Sequence, residues 1–585
     1  MTFHLTRRGL LAASAASAAT AAAAAAPFTL VGPATAGART FKLSVLGTSD
    51  THGNVYNWDY YKDAEYDDSA HNDVGVAKLA ALVNQIRAER GVTTLVLDAG
   101  DTIQGTPLAT YYAKQEPITE TGAKHPMAKA MNVLHYDAVT LGNHEFNYGL
   151  PLLNLWIRQL GFPAMAANAV NVATGRPAFR PYTIKKLTLG NATLRVGILG
   201  LTNPGVAIWD RATVEGVLRF EDLVATAAKY VPIMRRNGAD IVLISAHGGD
   251  SGTSSYGPEL PVENPSALIA EQVPGIDAIL FGHAHNEVAQ RFVTNTATGA
   301  QVLLSEPSKW GQRLTRMDFT LTRERGRWTI TDKRAATLNT NTVAEDPEVV
   351  KAVRRQHATT VAYVNQVVAT STVELSAAES RYKDTPILDY INKVQTDTVT
   401  AALAGTEYAG LPVLSIAAPF SRTAVFPQGD VKIKDVAGLY IYDNTLEAVV
   451  LTGAEVKAYL EYSAKYFVTL APGAPVDPAT ISDPAVPDYN YDTISGIAYD
   501  IDISRPVGSR IVIDVAPDAR FVVAVNNYRR SGGGNFPGIV KTQVYNAQQE
   551  IRQLLIDWAQ ERGAIDPADF FLPNWRLTRA GEPVF

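Results

Sequence analysis

The sequence contains no cysteine among its 585 residues. Disulfide scaffolds and thiolate metal sites are therefore excluded, and any metal must use nitrogen and oxygen ligands. Positive charge is not in excess either, since the formal net charge is −6 at pH 7, so a nucleic acid polymer or an anionic membrane is not favoured as a partner. Beyond the N-terminus, no run is long and apolar enough to span a bilayer.

What is present is a composition typical of a globular protein, with 46% hydrophobic and 19% charged residues. A chain of this length is too long for one hydrophobic core, so two large domains are expected. We find no internal repeat.

The N-terminus has the pattern of a targeting segment. Thr6-Arg7-Arg8-Gly9-Leu10-Leu11 is a twin-arginine motif, and an alanine-rich stretch with A-x-A cleavage sites follows it. We interpret residues 1–38 as a twin-arginine signal peptide. The mature protein is then expected to be extracytoplasmic (secreted, periplasmic or cell-wall associated), without a membrane anchor, and a monomer.

Five short apolar runs in the first half of the chain each end in residues that can bind metals. Residues 41–46, 94–97, 138–141, 241–244 and 278–281 precede, in that order, Asp50 and His52, Asp101, Asn143 and His144, His247, and His283 and His285. Such runs of Val, Ile and Leu predict buried strands, and ligand sites in α/β sheets gather beyond the carboxyl ends of strands. The five ends are expected to meet at one place.

These five strand ends hold five of the ten histidines. A lone histidine near a turn is more often an ordinary polar residue, but five together with Asp50, Asp101 and Asn143 indicate a metal centre. Phosphate esters repel nucleophiles, and two divalent cations about 3.5–4 Å apart offset that charge. The pattern therefore suggests a two-metal phosphate-ester hydrolase using Zn, Mn, Fe or Co, with the metals' identity left open.

The spacing of apolar residues along the chain predicts the domain organisation. Strands alternate with helices over residues 40–345, which predicts an α/β domain; residues 76–89 and 221–236 have helical spacing. Asp346 is a typical N-cap residue and Pro347 a typical first residue of a helix. We interpret residues 346–370 as a connector helix. Residues 371–585 would form a second domain, with a Thr452 to Glu455 capping box and a strand over residues 521–525.

Several motifs resemble those of known phosphoesterases. Asp50-x-His52, Gly100-Asp101, Gly142-Asn143-His144-Glu145, His247 and Gly282-His283-x-His285 resemble the calcineurin-like metallophosphoesterase pattern. Further segments are similar to the bacterial 2′,3′-cyclic-nucleotide 2′-phosphodiesterase/3′-nucleotidases: Asp59-Tyr60-Tyr61-Lys62-Asp63, Glu145-Phe146-Asn147-Tyr148-Gly149-Leu150, Leu411-Pro412-Val413-Leu414-Ser415, Leu439-Tyr440-Ile441-Tyr442-Asp443-Asn444-Thr445 and Asn526-Asn527-Tyr528-Arg529. The resemblance implies a four-layer α/β sandwich joined by the connector helix to a smaller α/β nucleotide-binding domain.

The resemblance also implies roles for individual residues. Asp50, His52, Asp101 and His285 would hold one divalent metal; Asp101, Asn143, His247 and His283 would hold the other. His144 would lie over the phosphate, stabilise charge in the transition state and act on the leaving oxygen. Tyr442 and Tyr528 would stack on the base, and Asn444, Gly496 and Asn535 would contact base or ribose.

Two departures separate this chain from the 5′-nucleotidases. Their aspartate three positions after the catalytic histidine is Asn147 here, whose amide accepts from an imidazole but adds no charge, so His144 should be less basic than in an Asp-supported pair. Their Asn-Gly-Gly-Gly-Ile-Arg motif is replaced by residues 417–422, and we interpret Arg422 as a surface residue.

These departures favour an exported hydrolase that opens 2′,3′-cyclic nucleotides and dephosphorylates 3′-nucleotides for scavenging, with a nucleotide as its small-molecule partner. A 5′-nucleotidase or nucleotide-sugar hydrolase is the alternative within the same class. A nucleotide-binding protein without catalysis is the alternative from another class, and the complete ligand set argues against it.

Overall fold

The computed structural model describes residues 40–442, 444–471 and 473–585. The predicted signal peptide, residues 1–38, lies outside these ranges. Within them, no helix combines the length and the hydropathy that crossing a membrane requires.

Two six-stranded sheets form the N-terminal domain. In spatial order the first consists of Arg327–Asn339, Arg313–Glu324, Thr40–Thr48, Val92–Asp98, Ala138–Thr140 and Ala164–Met165. The second consists of Glu287–Thr294, Gln301–Pro307, Ala278–Phe281, Ile241–Ala246, Ala192–Leu201 and Tyr182–Leu189. The central strands of both sheets are parallel, and antiparallel strands lie towards their edges.

The two sheets pack face to face. One apolar cluster lies between them and takes Leu43, Leu97, Leu243 and Leu280 from four different strands. Helices cover both outer faces, one cluster including the helices Val76–Arg87, Pro126–Leu134 and Gly149–Gln159, and another including Leu223–Arg236 and Ser266–Gln272. The order helix, sheet, sheet, helix is the predicted four-layer sandwich.

The predicted helices form close to their expected limits. The apolar residues Leu79, Leu82, Val83 and Ile86 are all buried on one side of the helix Val76–Arg87, which ends two residues before the predicted limit. Asp222 caps the helix Leu223–Arg236 by accepting from the Ala225 amide.

The helix Pro347–Val364 runs between the two halves of the chain. It ends six residues before the predicted limit at residue 370, because Val367–Ser371 is already a strand of the second domain. Asp346 accepts from the amides of Glu348 and Val349, as expected for an N-cap. Val349 and Val353 pack into the N-terminal core, whereas Tyr363 near the other end packs against the C-terminal core. The helix therefore contacts both domains.

A five-stranded mixed sheet is the centre of the C-terminal domain, in the order Thr493–Ser495, Val413–Ala417, Arg520–Asn526, Thr445–Thr452 and Tyr545–Glu550. Successive side chains of a strand point to opposite faces, and each face carries its own core. The helices Pro386–Leu403, Ile433–Leu439 and Ile551–Arg562 cover one face and Gly453–Ser463 the other.

Smaller elements complete the domain. A three-stranded sheet consists of Gly429–Lys432, Val367–Ser371 and Ala564–Ile565, and a four-stranded sheet of Ile511–Ile513, Tyr499–Asp502, Trp575–Arg579 and Glu582–Pro583. The predicted capping box is present, since Thr452 and Glu455 exchange hydrogen bonds at the start of Gly453–Ser463.

Candidate functional site

The structure brings the five predicted strand ends together. Three of the strands belong to the first sheet and two to the second, so the site lies where the carboxyl ends of two facing sheets meet. Packing two sheets against each other lets short loops from both reach one point.

Two groups of possible metal ligands occupy this point. The ligand atoms of Asp50, His52 and His285 lie within 4.8 Å of one another, and so do those of Asp101, His247 and His283. Asp101 joins the groups, because its Oδ2 lies 3.0 Å from His247 Nε2 and 3.8 Å from His52 Nε2. One carboxylate therefore stands between the two sets.

Asn143 belongs to the second group. Its Oδ1 lies 3.1 Å from His247 Nε2 and 3.0 Å from His283 Nδ1. An amide oxygen has lone pairs but no charge, so it can ligate a cation without adding a proton equilibrium. All seven residues predicted as ligands are thus brought together.

The second ring nitrogen of three histidines is engaged outside the cluster. His52 Nδ1 donates to the Gln104 carbonyl at 3.1 Å, and His247 Nδ1 donates to the Ala99 carbonyl at 2.8 Å. His283 Nε2 donates to the Glu263 carboxylate at 2.7 Å. Since the nitrogen that donates outwards is occupied, the other nitrogen of each ring is the one directed at the cluster, where its lone pair can ligate a cation.

The pKa values of His52 and Asp50 place both side chains in the protonation states that bind metals. Burial lowers the pKa of His52 to about 3, so that the ring is neutral and able to ligate. Burial alone would raise the pKa of Asp50, but the hydrogen bond from His285 and the charge of His247 outweigh it and hold that pKa below its usual value. Asp50 is therefore an anionic carboxylate.

The backbone around these residues is in an uncommon conformation. Five of the seven have left-handed φ angles: Asp50 at 52°, His52 at 46°, Asp101 at 58°, His283 at 80° and His285 at 59°. Each such residue costs about 1–2 kcal/mol, and such conformations persist at functional sites where the surroundings impose them. Together with a donor set of imidazole, carboxylate and amide, this fits a divalent transition metal centre.

Glu145 connects two of the ligand-bearing loops. It is fully buried, and its carboxylate accepts from four backbone amides, those of Asp101, Thr102, Ile103 and Gly142. The carboxylate thereby fixes the loop of Asp101 against the loop of Asn143. The sequence placed Glu145 within a motif but gave no sign of this role.

We expect Glu145→Gln to lower the thermal stability of the metal-free protein. Each carboxylate oxygen of Glu145 accepts from two backbone amides. The NH2 group of a glutamine would replace one oxygen and leave its two amides without an acceptor, and each buried unpaired amide costs about 1–3 kcal/mol. The melting temperature in EDTA measures the effect, with Glu324→Gln at an exposed strand end as the control. An unchanged melting temperature for Glu145→Gln would show that the loops are held by other contacts.

His144 lies beside the cluster rather than within it. Its amide donates to Asp101 Oδ1 at 2.8 Å, and its Nε2 lies 4.0 Å from Asp101 Oδ2. Its Nδ1 donates to Asn147 Oδ1 at 2.6 Å, which is the predicted support. Burial acts to lower its pKa, but Asp101 and the Asn147 hydrogen bond outweigh it, so the pKa is raised. With 31% of the side chain exposed, the ring is accessible to solvent.

The two predicted stacking tyrosines lie near each other in the C-terminal domain. The ring of Tyr442 is half-buried and packs edge-on against Phe420 at 5.3 Å. Tyr528 lies on the short helix Asn527–Arg530, directly over Gly533, where any Cβ would collide with its ring. Burial raises the pKa of Tyr528 to about 12. The glycine-rich loop thus supports Tyr528.

The other predicted contact residues are distributed around these tyrosines. Asn444 donates to the Tyr440 hydroxyl at 3.3 Å, and Asn535 reaches the N-terminal domain by donating to the Ser255 carbonyl at 2.8 Å. Gly496 packs against Leu414, and a Cβ at this position would also approach the Val413 carbonyl. Arg422 is exposed and donates to Asp488 at 2.7 Å.

The C-terminal domain meets the metal-ligand cluster through Trp209. The Trp209 ring stacks on His283, with centroids 5.6 Å apart and planes at 25°. Its carbonyl accepts from Asn527 Nδ2 at 3.3 Å, next to Tyr528. Sequence reasoning missed Trp209 and Glu263, because both lie in segments without periodicity or a metal-ligand pattern.

Comparison with known proteins agrees with this architecture. The calcineurin-like phosphoesterase family matches residues 43–287, and the 5'-nucleotidase C-terminal domain family matches residues 367–541. A solved 5'-nucleotidase precursor from Thermus thermophilus has the same fold, with a TM-score of 0.61 at 23% identity over 93% of this chain and 100% of that one. Fold and ligand cluster together define a metallophosphoesterase of the 5′-nucleotidase type.

Two relatives narrow the class. The chain is 33% identical to the 2',3'-cyclic-nucleotide 2'-phosphodiesterase/3'-nucleotidase of Salmonella typhimurium, over 93% of this chain and 90% of that protein. It is 35% identical to the Trifunctional nucleotide phosphoesterase protein YfkN of Bacillus subtilis over 92% of this chain, but spans only 39% of that protein. The chain belongs to the family of the 2′,3′-cyclic-nucleotide 2′-phosphodiesterase/3′-nucleotidases, which confirms the resemblance of its motifs.

Proposed function

We propose that this protein opens 2′,3′-cyclic nucleotides to 3′-nucleotides and then removes the 3′-phosphate. The observation that carries the proposal is the ligand cluster around Asp101, which is linked through Trp209 to the domain that holds the paired tyrosines. The Salmonella typhimurium relative named for both reactions is similar over nearly the whole chain.

Two divalent cations are proposed as cofactors. Asp50, His52, Asp101 and His285 would hold one, and Asp101, Asn143, His247 and His283 the other. When bound, such a pair offsets the charge of the phosphate ester and lowers the pKa of water.

His144 is proposed to act on the leaving oxygen. Its protonated Nδ1 points to Asn147, and its Nε2 lies on the side of Asp101. From there, Nε2 can donate a proton to the ribose oxygen as it departs.

Arg422 in the C-terminal domain bears on which phosphate of the nucleotide the site accepts. Arg422 is engaged with Asp488, so it is unsuited to the 5′-phosphate contact that the arginine motif of 5′-nucleotidases supplies. A 2′ or 3′ phosphate lies nearer the base, which fits a site built from His144 on one side and two tyrosines on the other.

Phosphate release and product identity test the proposal. The purified protein would be given 2′,3′-cyclic AMP, 3′-AMP and 5′-AMP with Mn or Co, and with EDTA as the control. We expect rapid turnover of the first two and its loss on chelation. Preference for 5′-AMP would contradict the substrate assignment while leaving the metal centre in place, and nucleotide binding without turnover would contradict both reactions.

Tyr528→Ala should raise KM and leave kcat nearly unchanged. Stacking contributes about 1–3 kcal/mol per base, and the base binds alike in the ground and transition states, so KM is expected to rise about 5- to 150-fold. Tyr528→Phe keeps the ring and is the matched control. The rise should be similar for adenine and uracil nucleotides, and an effect on kcat alone would contradict a stacking role.

Scavenging is the proposed purpose. Charged nucleotides do not cross membranes, so hydrolysis outside the cytoplasm would release nucleoside and phosphate for uptake. The twin-arginine motif at Arg7 and Arg8 supports export.

A further inference from the structure

Asp210 lies behind the residue that supports His144. Asn147 Nδ2 donates to Asp210 Oδ1 at 2.7 Å, while Asn147 Oδ1 accepts from His144 Nδ1 at 2.6 Å. Asp210 is only 8% exposed, and within the described ranges its second oxygen has no hydrogen-bond partner. The three side chains form a chain of hydrogen bonds that ends in a carboxylate.

The polarity of this chain is fixed by Asp210. An ionised carboxylate only accepts, so it requires the NH2 end of the Asn147 amide. The amide oxygen must then face His144, and His144 must carry its proton on Nδ1. If Asp210 were absent, the amide could turn by 180° and present a donor to the ring instead, which would favour the other tautomer.

Asp210 also supplies what Asn147 lacks, namely a negative charge. Burial raises its pKa to about 6, against the effects of the Asn147 hydrogen bond and His144, so the group is mostly ionised at neutral pH. The charge lies one amide away from the imidazole, whereas an aspartate at position 147 would place it in direct contact.

The segment around Asp210 is held at several points. Asp210 joins two one-turn helices, Val206–Trp209 and Arg211–Val214. The preceding residue, Trp209, stacks on His283 and accepts from Asn527 of the C-terminal domain. These contacts keep the carboxylate within reach of Asn147.

We propose that Asp210 is a positioning residue for the reaction: through Asn147 it fixes the orientation and tautomer of His144. The proposal rests on the proposed function of His144. It assigns Asn147 as a connector between two groups rather than as the final support.

Kinetics of the metal-loaded protein provide the first test. Asp210→Asn and Asp210→Ala are expected to lower kcat by about 10- to 100-fold, the usual range for residues that orient an active group, with KM and metal content unchanged. Glu215→Gln, on an exposed side chain of the same segment, should behave as wild type. The proposal would be overturned if Asp210→Asn kept the wild-type kcat. It would also be overturned if the variant lost activity because it no longer bound metal.

Exchanging the amide at position 147 and the carboxylate at position 210 tests whether the two side chains act through each other. Asn147→Asp alone places two carboxylates against each other and should lower kcat. The double variant Asn147→Asp/Asp210→Asn restores one carboxylate and one amide in reversed order, so it should recover most of the activity lost in either single variant. A double variant no better than Asn147→Asp would contradict coupling through the amide.

Nitrogen-15 NMR of the histidine rings separates this proposal from the proposed reaction. The His144 signals, assigned with His144→Ala, should show protonated Nδ1 in the wild type and a mixed or reversed tautomer in Asp210→Ala. This readout needs no substrate, so it stands even if cyclic nucleotides are not hydrolysed. An unchanged tautomer in Asp210→Ala would overturn the positioning role.

Discussion

Asp101→Asn is expected to abolish turnover almost completely, with a loss of at least about 10³-fold. Asp101 is the carboxylate between the two ligand groups, so its charge would serve both cations. Metal assistance contributes several kcal/mol to such reactions, and each 1.36 kcal/mol is a factor of ten in rate. The asparagine keeps the shape of the side chain, removes its charge and replaces one acceptor oxygen by an NH2 donor.

Metal content and activity should fall together in this variant. Elemental analysis of the purified protein measures the first and phosphate release from 2′,3′-cyclic AMP the second. Asp332→Asn on an exposed strand is the matched control, with both values expected to equal the wild type. A full metal complement with wild-type turnover in Asp101→Asn would remove Asp101 from the centre.

The metal-ligand cluster was predictable from sequence because its ligands follow buried strands directly. Runs of Val, Ile and Leu predict the strands, and Asp50, Asp101 and His247 come within a few residues of their ends. Short loops leave such residues little freedom, so a local pattern determines a three-dimensional position. The pairing of two separate sheets depends on contacts distant in sequence, so it was predicted only from the resemblance to known phosphoesterases.

The residues that sequence reasoning missed are those placed by tertiary contacts. Glu263 precedes a helix by a few residues and Asp210 lies between two short helical turns, and neither segment has an apolar period. Both matter because of what they touch, His283 in one case and Asn147 in the other. The contact of Gly496 with base or ribose stays a prediction.

The expectation for Asn147 changes in the same way. From sequence, an amide in this position adds no charge to His144. In the structure the amide oxygen of Asn147 accepts from His144, as expected. The amide nitrogen of Asn147 donates to the carboxylate of Asp210. A substitution that looks like the loss of a charge is therefore accompanied by a charge one residue further along the hydrogen-bond chain.

His144→Ala should lower kcat by about 10²- to 10⁴-fold, the range expected for a lost general acid. The ring lies 4.0 Å from Asp101 and is not among the ligand groups, so metal content should remain at the wild-type level. His71→Ala, at a highly exposed histidine, is the matched control for both measurements.

The leaving group separates proton donation from a general disturbance of the site. An alcohol such as a ribose hydroxyl needs a proton to depart, whereas p-nitrophenolate is stable enough to leave without one. If His144 donates that proton, the loss in His144→Ala should be large for 3′-AMP and much smaller for p-nitrophenyl phosphate. An equal loss for both substrates would assign His144 to charge stabilisation at the phosphate, because that contribution does not depend on the leaving oxygen.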